Sequence, residues 1–324
     1  MIRKWMIKLE LCAIILAVLY GFCLTVLADE QVSQRDYGCS AGKEETIVLQ
    51  EDLDSFVVSW GAAITLDLNG HSIANKSNGD AITVEPGAML VMKGEGVVSN
   101  TGGGSLIFNE GECFLLDNCS FVHDAGGYAV INHGYMEIRD GVEISSLRSG
   151  SSLIENGYYN YESGDARTGF VSGWKEPELY IQGGDFNGGR INVKNDERGI
   201  CKIYGGAFHD ADEAVLKNWG TMDIYGGEFY GADHNIVLGI IRDLSCYGDL
   251  RIHDGSFKAG RSKALFSLAV GNDADEGGDL HGEVELLGGE YEGFHYWYSS
   301  EVSPGMVIKK ADNVKLEIWA RTGN

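Results

Sequence analysis

Proline is scarce in this chain: the 324 residues include only 3 prolines, whereas 46 are glycine. Abundant glycine without proline, and without a strict triplet period, excludes a collagen-like triple helix. It indicates instead many tight corners whose backbone needs a positive φ angle. Hydrophobic residues make up 44% of the sequence, which is enough for a continuous core, so the composition also excludes wholesale disorder.

Basic residues are also few. The chain has 25 Lys and Arg residues against 48 Asp and Glu residues, and its formal net charge is −23 at pH 7. A surface this negative repels phosphate backbones, so we expect no nucleic-acid partner. It also repels acidic polysaccharides unless cations bridge them. The simplest interpretation of the charge is solubility outside the cell.

Cysteine is sparse and irregularly spaced. Beyond residue 28 the chain carries Cys39, Cys113, Cys119, Cys201 and Cys246. An odd, sparse set does not make a disulfide framework, although a single bridge stays open as an alternative. There is no CxxC pair, so a zinc site has little support. Cys113 and Cys119 flank an apolar segment, and we expect them to pack in the core as small hydrophobic side chains.

The N-terminus has the pattern of a targeting segment. Arg3, Lys4 and Lys8 precede an apolar run over residues 11–27, and Ala28 ends a small-residue cleavage site. We predict that residues 1–28 are a signal peptide and that the protein is secreted or lies at the cell surface. The alternative is an uncleaved N-terminal anchor, although the run is at the short limit for a bilayer span. We expect no other membrane attachment.

A short phrase recurs along the chain. Residues 222–229 read MDIYGGEF, and related copies stand at 179–186 (LYIQGGDF), 201–208 (CKIYGGAF), 250–257 (LRIHDGSF) and 284–291 (VELLGGEY). Each copy has alternating apolar residues, a glycine corner and a closing aromatic. A period of about 20 residues with alternation inside each repeat is typical of stacked β coils.

The fold class predicted from this repeat is all-β, a right-handed single-stranded parallel β-helix. We assign residues 29–45 to an irregular leader, 46–310 to the β-helix and 311–324 to a C-terminal cap strand. Inserted loops break the period at about 145–178, 236–248 and 271–283. We expect the first to lie on the side of the coils, and the apolar IVLGII of the second indicates a buried strand. The Gly-Gly pairs are expected to form corners and not phosphate-binding loops, because no helix pattern follows them.

Asparagine recurs at one place in successive coils. The positions are Asn109, Asn132, Asn156, Asn195 and Asn218. Asparagine tolerates left-handed backbone conformations, and stacked Asn side chains can bond the neighbouring coil. We therefore expect a structural ladder at this corner and no catalytic role for these residues.

The first coil, ITLDLNGHSI at residues 64–73, followed by the repeated glycine corners, resembles a known family. The sequence is similar to secreted right-handed parallel β-helix proteins of the pectate-lyase-like superfamily, of the bacterial extracellular or surface type. The resemblance covers roughly residues 46–310 and implies the β-helix fold. Enzymes of that superfamily carry Asn-Thr-Asp, Asp-Asp, Gly-His-Gly and Arg-Ile-Lys elements or a Trp-Asp-His segment. This chain carries none of these sets in order.

One insertion is rich in aromatic residues. Tyr158, Tyr159, Tyr161 and Trp174 are candidate ligand-binding residues, because aromatic rings stack on the apolar faces of sugars. The alternative interpretation is that these rings pin the inserted loop to the coils.

Two acidic clusters are further candidates. Three aspartates of a glycine-rich loop, Asp273, Asp275 and Asp279, could bind calcium, and the alternative is a solvated loop. We expect no other cofactor. Asp210, Asp212 and Asp233 lie near histidines and are candidates for acid–base catalysis on a glycosidic bond, the alternative being a solvated turn.

The function that fits these patterns is non-catalytic binding of a polysaccharide or a cell-surface ligand. The first alternative is a divergent polysaccharide lyase or glycoside hydrolase. The second is a structural envelope protein. The sequence leaves the oligomeric state open.

Overall fold

Three parallel β-sheets form the walls of a β-helix in a computed structural model that describes residues 44–148, 150–158, 176–196, 198–231, 234–240, 248–258, 264–270, 282–292, 294–298, 306–315 and 319–320. All of these residues belong to one compact unit, Gln34–Asn324. In this described part of the chain every regular element is a strand. It holds no helix of the length and apolarity that a membrane crossing requires.

The chain passes from sheet 1 to sheet 2 to sheet 3 and then starts the next coil. Among the described residues, sheet 1 contains eleven strands: β1 (Glu44–Val48), β3 (Ala63–Asp67), β6 (Met89–Lys93), β9 (Glu112–Leu115), β12 (Tyr135–Ile138), β15 (Glu178–Ile181), β18 (Ile200–Ile203), β21 (Thr221–Ile224), β24 (Asp249–Ile252), β27 (Gly282–Leu286) and β30 (Met306–Lys310). Sheet 2 contains nine: β4 (Ser72–Asn75), β7 (Gly96–Asn100), β10 (Cys119–His123), β13 (Glu143–Ser146), β16 (Asp185–Gly188), β19 (Ala207–His209), β22 (Glu228–Tyr230), β25 (Ser256–Lys258) and β28 (Glu290–Glu292). Sheet 3 contains eleven: β2 (Phe56–Val58), β5 (Ile82–Val84), β8 (Ile107–Asn109), β11 (Val130–Asn132), β14 (Ile154–Asn156), β17 (Ile191–Asn195), β20 (Ala214–Asn218), β23 (His234–Ile240), β26 (Ala264–Val270), β29 (Phe294–Tyr298) and β31 (Trp319–Ala320).

Alternation along each strand sends every second side chain into the core. In sheet 1, Ile64 is in register with Leu90 and Leu90 with Cys113, and all three are buried. The residues between them point outward, because successive side chains of a strand lie on opposite faces. The predicted all-β parallel β-helix is therefore confirmed.

The paired glycines form corners between sheet 1 and sheet 2, as predicted. Gly227, the second of one pair, has a φ of +116°, which side-chain-bearing residues rarely adopt. Gly226, the first of the pair, lies against the preceding coil, because a Cβ built on it would be 2.7 Å from the carbonyl oxygen of Tyr204. One glycine thus allows the turn and the other allows the coils to approach.

The aromatics that close the repeats stack in the core of sheet 2. Phe186, Phe208, Phe229 and Phe257 follow one another at centroid distances of 4.6, 4.9 and 4.6 Å, with nearly parallel rings. Tyr291 extends the stack at 5.2 Å from Phe257. The repeat therefore encodes one continuous aromatic column.

The asparagine ladder predicted from the sequence is present. Asn132 Nδ2 donates to Asn156 Oδ1 at 2.7 Å and to the carbonyl oxygen of Glu178 at 3.0 Å. Asn156 Nδ2 in turn donates to Asn195 Oδ1 at 2.7 Å. The side chains are fully buried, and each one bonds both its neighbour in the ladder and the backbone of the next coil.

The described cysteines Cys113, Cys119 and Cys201 are buried and carry free thiols. This confirms that Cys113 and Cys119 pack as core residues. Burial raises the pKa of the Cys119 thiol to about 12, and the charge of Asp67 adds to the shift. Cys39 and Cys246 lie outside the described residues.

Strands occupy parts of the three inserted segments, and the strand predicted from IVLGII in the second is confirmed. β14 lies within the segment 145–178, β23 overlaps 236–248 and β27 begins within 271–283. Each of these strands pairs in register with its sheet. The predicted signal peptide and almost all of the predicted leader lie outside the described residues. In the predicted cap, Trp319–Ala320 pairs with β29.

Candidate functional site

Three neighbouring strands of sheet 1 each place one aromatic and one acidic side chain on the outer face. The members of each pair are two positions apart, so they share a face, while the apolar residue between them points into the core. We call these six side chains, from β9, β12 and β15, the aromatic–carboxylate patch: Glu112, Phe114, Tyr135, Glu137, Glu178 and Tyr180.

Rings and carboxylates alternate across the patch in both directions. Tyr135 is in register with Glu112 on one side and with Glu178 on the other. The rings meet diagonally, with centroids 5.5 Å apart between Phe114 and Tyr135 and 5.3 Å apart between Tyr135 and Tyr180. A row of half-buried rings, tilted 43° and 31° from one to the next, therefore crosses three coils, and carboxylates lie on both sides of it.

Hydrogen bonds hold the tyrosines against the carboxylates. The hydroxyl of Tyr180 donates to Glu178 Oε2 at 2.9 Å, and the hydroxyl of Tyr135 donates to Glu137 Oε2 at 3.3 Å. Arg139 Nε donates to the other oxygen of Glu137 at 2.9 Å. These contacts fix the orientation of the rings before any ligand arrives.

The electrostatic environment of the patch is negative. Burial, followed by the charges of Glu137 and Glu178, raises the pKa of Tyr135 to about 12. Burial and the hydrogen bond to Glu178 likewise raise the pKa of Tyr180 to about 12. Lys202 Nζ, 5.5 Å from the centroid of the Tyr180 ring, marks the far edge of this environment.

A cavity of about 490 Å³ opens where the patch meets the corner between sheet 3 and sheet 1. Its size is within the usual range for small-molecule sites. The described residues that line it come from four successive coils: Pro86, Gly87, Glu110, Gly111, Glu112, Phe114, His133, Gly134, Tyr135, Glu176 and Glu178. Two rings of the patch and two of its carboxylates thus form part of the cavity wall.

An exposed tryptophan lies beside this cavity. Trp60 is 68% exposed, and its backbone N–H donates to Glu85 Oε2 at 2.8 Å. Its indole lies next to Gly87, a lining residue, because a Cβ built on Gly87 would be 3.3 Å from Trp60 Nε1. Exposed aromatic surface therefore continues along the corner from the cavity to the first coil.

The other end of the outer face of sheet 1 has a different character, because its charges pair with one another. Arg251 lies 3.7 Å from Asp223 and 3.1 Å from Glu285, and Lys309 lies 3.4 Å from Glu285. Acids and bases alternate there from coil to coil, so the charges largely neutralise each other.

A second row of exposed rings follows sheet 1 at its corner with sheet 2. Tyr204 and Tyr225 stack with centroids 4.9 Å apart, and His253 continues the row 4.4 Å from Tyr225. Tyr204 is 41% exposed and Tyr225 is 39% exposed. These rings precede the glycine corners, so they occupy one position of the repeat.

Of the predicted catalytic residues, the structure joins Asp210 to a histidine. His209 Nδ1 lies 2.8 Å from Asp210 Oδ2, and His209 Nε2 lies 3.0 Å from Asp185 Oδ1 on the preceding coil. Burial lowers the pKa of His209, but the hydrogen bonds to Asp210 and Asp185 outweigh burial and raise it. Asp212 is exposed, and its backbone N–H donates to Gly189. Asp233 lies outside the described residues.

Tyr158, the first of the predicted ligand-binding aromatics, is fully buried. Its ring lies 4.6 Å from that of His133, which lines the cavity and contacts Phe108 at 5.5 Å. This placement agrees with the alternative interpretation, in which the ring packs against the coils, and it supports the cavity wall from behind. The other three, Tyr159, Tyr161 and Trp174, lie outside the described residues.

The predicted calcium ligands, Asp273, Asp275 and Asp279, also lie outside the described residues. Among the residues that are described, no group of three or more His, Cys, Asp or Glu side chains has an arrangement suited to a metal ion. Calcium binding by the aspartate loop stays a prediction.

Sequence analysis missed the patch, although the repeat contains a signal for it. The segments ECFL, YMEI and ELYI occupy equivalent places in three coils, and each has an acid and an aromatic at its outward positions. The insertion between the second and third segments hides their equivalence until the strands are in register.

Comparison with protein-family models, characterised proteins and solved structures finds no match for this chain.

Proposed function

We propose that this protein is a non-catalytic β-helix that binds glycan through the aromatic–carboxylate patch and its cavity. The observation that supports the proposal is the alternation of half-buried rings and carboxylates over three coils, next to a concave site of sugar size. The proposal refines the one made from the sequence, which assigned binding to aromatics of the inserted loop.

The chemistry of a pyranose ring matches this surface. Its faces carry C–H groups that pack on aromatic rings, and its rim carries hydroxyls that donate to carboxylates. Neighbouring parallel strands lie about 4.8 Å apart, a spacing close to the length of one sugar unit. A glycan lying along this row of rings can therefore contact Phe114, Tyr135 and Tyr180 in turn while its hydroxyls reach the carboxylates between them.

The proposal includes an extracellular location. It rests on the predicted signal peptide over residues 1–28 and on the acidic composition. Edman sequencing of the exported protein tests it, and we expect Asp29 as the first residue. Retention inside the cell would contradict this part of the proposal. The resemblance to the pectate-lyase-like superfamily agrees with an extracellular role and stays a resemblance.

The binding test compares ring-deletion variants on a polysaccharide panel. Wild-type chain is first tested for retention on neutral, basic and acidic polymers, and the retained polymer is titrated by calorimetry. Tyr135→Ala combined with Tyr180→Ala is expected to weaken binding at least tenfold, about 1.4 kcal/mol, because two stacking faces are lost. Tyr230→Ala is the matched control, since Tyr230 is 38% exposed but lies on sheet 2.

The control is expected to bind within twofold of wild type. All variants are compared by thermal unfolding, so a misfolded protein is not counted as a binding defect. Equal binding by the double variant and wild type would remove the patch from the proposal. If no glycan is retained at all, the proposed function itself fails.

One observation favours the enzyme alternative. His209 holds carboxylates on both sides, and a histidine between acids can transfer protons to a glycosidic oxygen. New sugar ends released by wild type, and abolished by His209→Gln, would support a hydrolase or lyase. Retention without new ends supports the binding function.

A further inference from the structure

We infer that the cavity beside the aromatic–carboxylate patch selects a cationic sugar, one that carries a free amine, over its neutral and acidic counterparts. This inference rests on the proposed glycan-binding function and names the class of sugar that the same site prefers.

The cavity wall combines carboxylates with aromatic faces. Its described charged residues are all acidic: Glu110, Glu112, Glu176 and Glu178. Glu112 and Glu176 are exposed, so their carboxylates are accessible to a ligand in the cavity. Phe114 and Tyr135 form the aromatic part of the wall.

An ammonium group is the polar group that such a wall binds best. It donates up to three hydrogen bonds, which carboxylates accept, and it is attracted to the face of an aromatic ring. A neutral acetamide in its place would retain one donor and lose the ionic attraction. A sugar carboxylate would meet four like charges, and the net charge of −23 adds to that repulsion.

The cavity differs in its charge pairing from the acidic residues at the other end of sheet 1. Near the other end of the sheet, Asp223 and Glu285 are each paired with Arg251, and the coils neutralise their own charge. At the cavity, two carboxylates from the coil of β9 and two from the coil of β15 flank the Tyr135 ring of the coil between them. Burial is the main cause of the raised pKa of Tyr135, and the charges of Glu137, Glu178 and Glu112 add to it; these same charges attract a positive group.

The cavity volume sets the size of the ligand. At about 490 Å³ it has room for one or two sugar rings with their substituents. A longer chain would continue over the rings of Tyr135 and Tyr180 on one side or toward Trp60 on the other.

The experiment titrates the full chain with three oligosaccharides of equal length at pH 6 and fixed salt. They are a β-1,4-glucosamine oligomer, its fully N-acetylated counterpart and a galacturonic acid oligomer. We expect the glucosamine oligomer to bind at least tenfold more tightly than the acetylated one, and the galacturonic acid oligomer to bind more weakly than both. The titrations are repeated at raised salt to measure the ionic contribution.

Substitutions of the cavity carboxylates test whether the preference for the amine-bearing sugar originates in the cavity. In the double variant Glu112→Gln, Glu176→Gln, the affinities for the glucosamine oligomer and for its acetylated counterpart are expected to differ by no more than about threefold. Glu143→Gln is the matched control, because Glu143 is exposed on sheet 2, and its ratio of these two affinities should equal that of wild type. An equally reduced ratio in the control would reveal general charge attraction and overturn the inference.

The outcomes separate the inference from the proposed function. If both oligomers bind with equal affinity, or the acetylated one binds more tightly, the preference for an amine is refuted while glycan binding stands. A preference that survives in the double variant also refutes the cavity as its source. If none of the three oligomers binds and the polysaccharide panel is equally negative, the proposed function has failed first.

Discussion

Replacing Asn156 by alanine tests whether the asparagine ladder holds the coils together. Asn156 is the middle member of the ladder and is fully buried. It donates to Asn195 Oδ1 at 2.7 Å and to the carbonyl oxygen of Ile200 at 3.2 Å, and it accepts from Asn132 Nδ2 at 2.7 Å. Alanine removes these three hydrogen bonds at once.

The expected loss follows from those contacts. Each hydrogen bond contributes about 1 kcal/mol net, so the free energy of unfolding should fall by about 3 kcal/mol. Asn195 Oδ1 and the carbonyl oxygen of Ile200 would lose a partner in the interior, which raises the loss further. Asn132 Nδ2 would keep its bonds to the carbonyl oxygens of Gly134 and Glu178. For a domain of roughly 250 residues, 3 kcal/mol corresponds to a fall in Tm of about 6 °C.

Two measurements check this prediction. Thermal unfolding gives the change in Tm, and hydrogen exchange shows where protection is lost, since neighbouring coils of a solenoid can open locally. The largest loss of protection should fall on β14 and β17, the strands that the ladder joins around position 156. Asn187→Ala is the control, because Asn187 is an exposed strand residue of sheet 2.

The reasoning is refuted if Asn156→Ala is no more destabilising than Asn187→Ala, within about 0.5 kcal/mol. It is also refuted if exchange rises evenly over all coils, because the ladder would then have no local role.

Three further predictions concern the core, a corner and pH. Phe208→Ala should lower the free energy of unfolding by about 4 kcal/mol, since it leaves a cavity in the stacked column. Phe208→Leu should lower it by less than half of that amount, and denaturant unfolding of both variants measures the difference. Gly206 has a φ of +110°, so Gly206→Ala should destabilise by about 1–3 kcal/mol, whereas Gly126→Ala, whose Cβ meets nothing within 4 Å, should be nearly neutral in the same assay. Because its pKa is raised in the folded state, His209 should stabilise the fold fully below its unfolded pKa of about 6.5 and lose that contribution as pH rises through the folded value. The free energy of unfolding, measured between pH 5 and 8, should fall with rising pH in wild type and should fall less in Asp185→Asn. An equal fall in the two proteins would contradict the prediction.

The fold could be predicted because its determinants are local and repeated. The corner at Gly226 and Gly227 needs one residue without a side chain and one with positive φ, and both requirements appear in the sequence as glycine. The column through Phe208 needs one aromatic in each coil, and it is visible as a period. Asn156 was assigned to a ladder because the amide can satisfy buried backbone groups at a corner.

The patch could not be predicted in the same way, because outward residues of a coil do not contribute to the core. Glu137 and Tyr180 become neighbours only through the pairing of β12 with β15, across an insertion that breaks the period. Sequence reasoning instead selected aromatics that cluster along the chain, and Tyr158, one of them, is buried. In a solenoid, side chains that lie close together on a sheet come from different coils and are far apart in the sequence.

The two ends of sheet 1 differ in how their carboxylates are paired. A stack of parallel strands places equivalent outward residues about 4.8 Å apart, so like charges in one row repel each other unless opposite charges separate them. Arg251, between Asp223 and Glu285, solves this problem within the fold. In the patch, Arg139 pairs with Glu137, but the cavity carboxylates Glu112 and Glu178 lie on either side of the Tyr135 ring. A ligand that brings positive charge between Glu112 and Glu178 reduces their mutual repulsion, and the preference for an amine-bearing sugar follows from that difference.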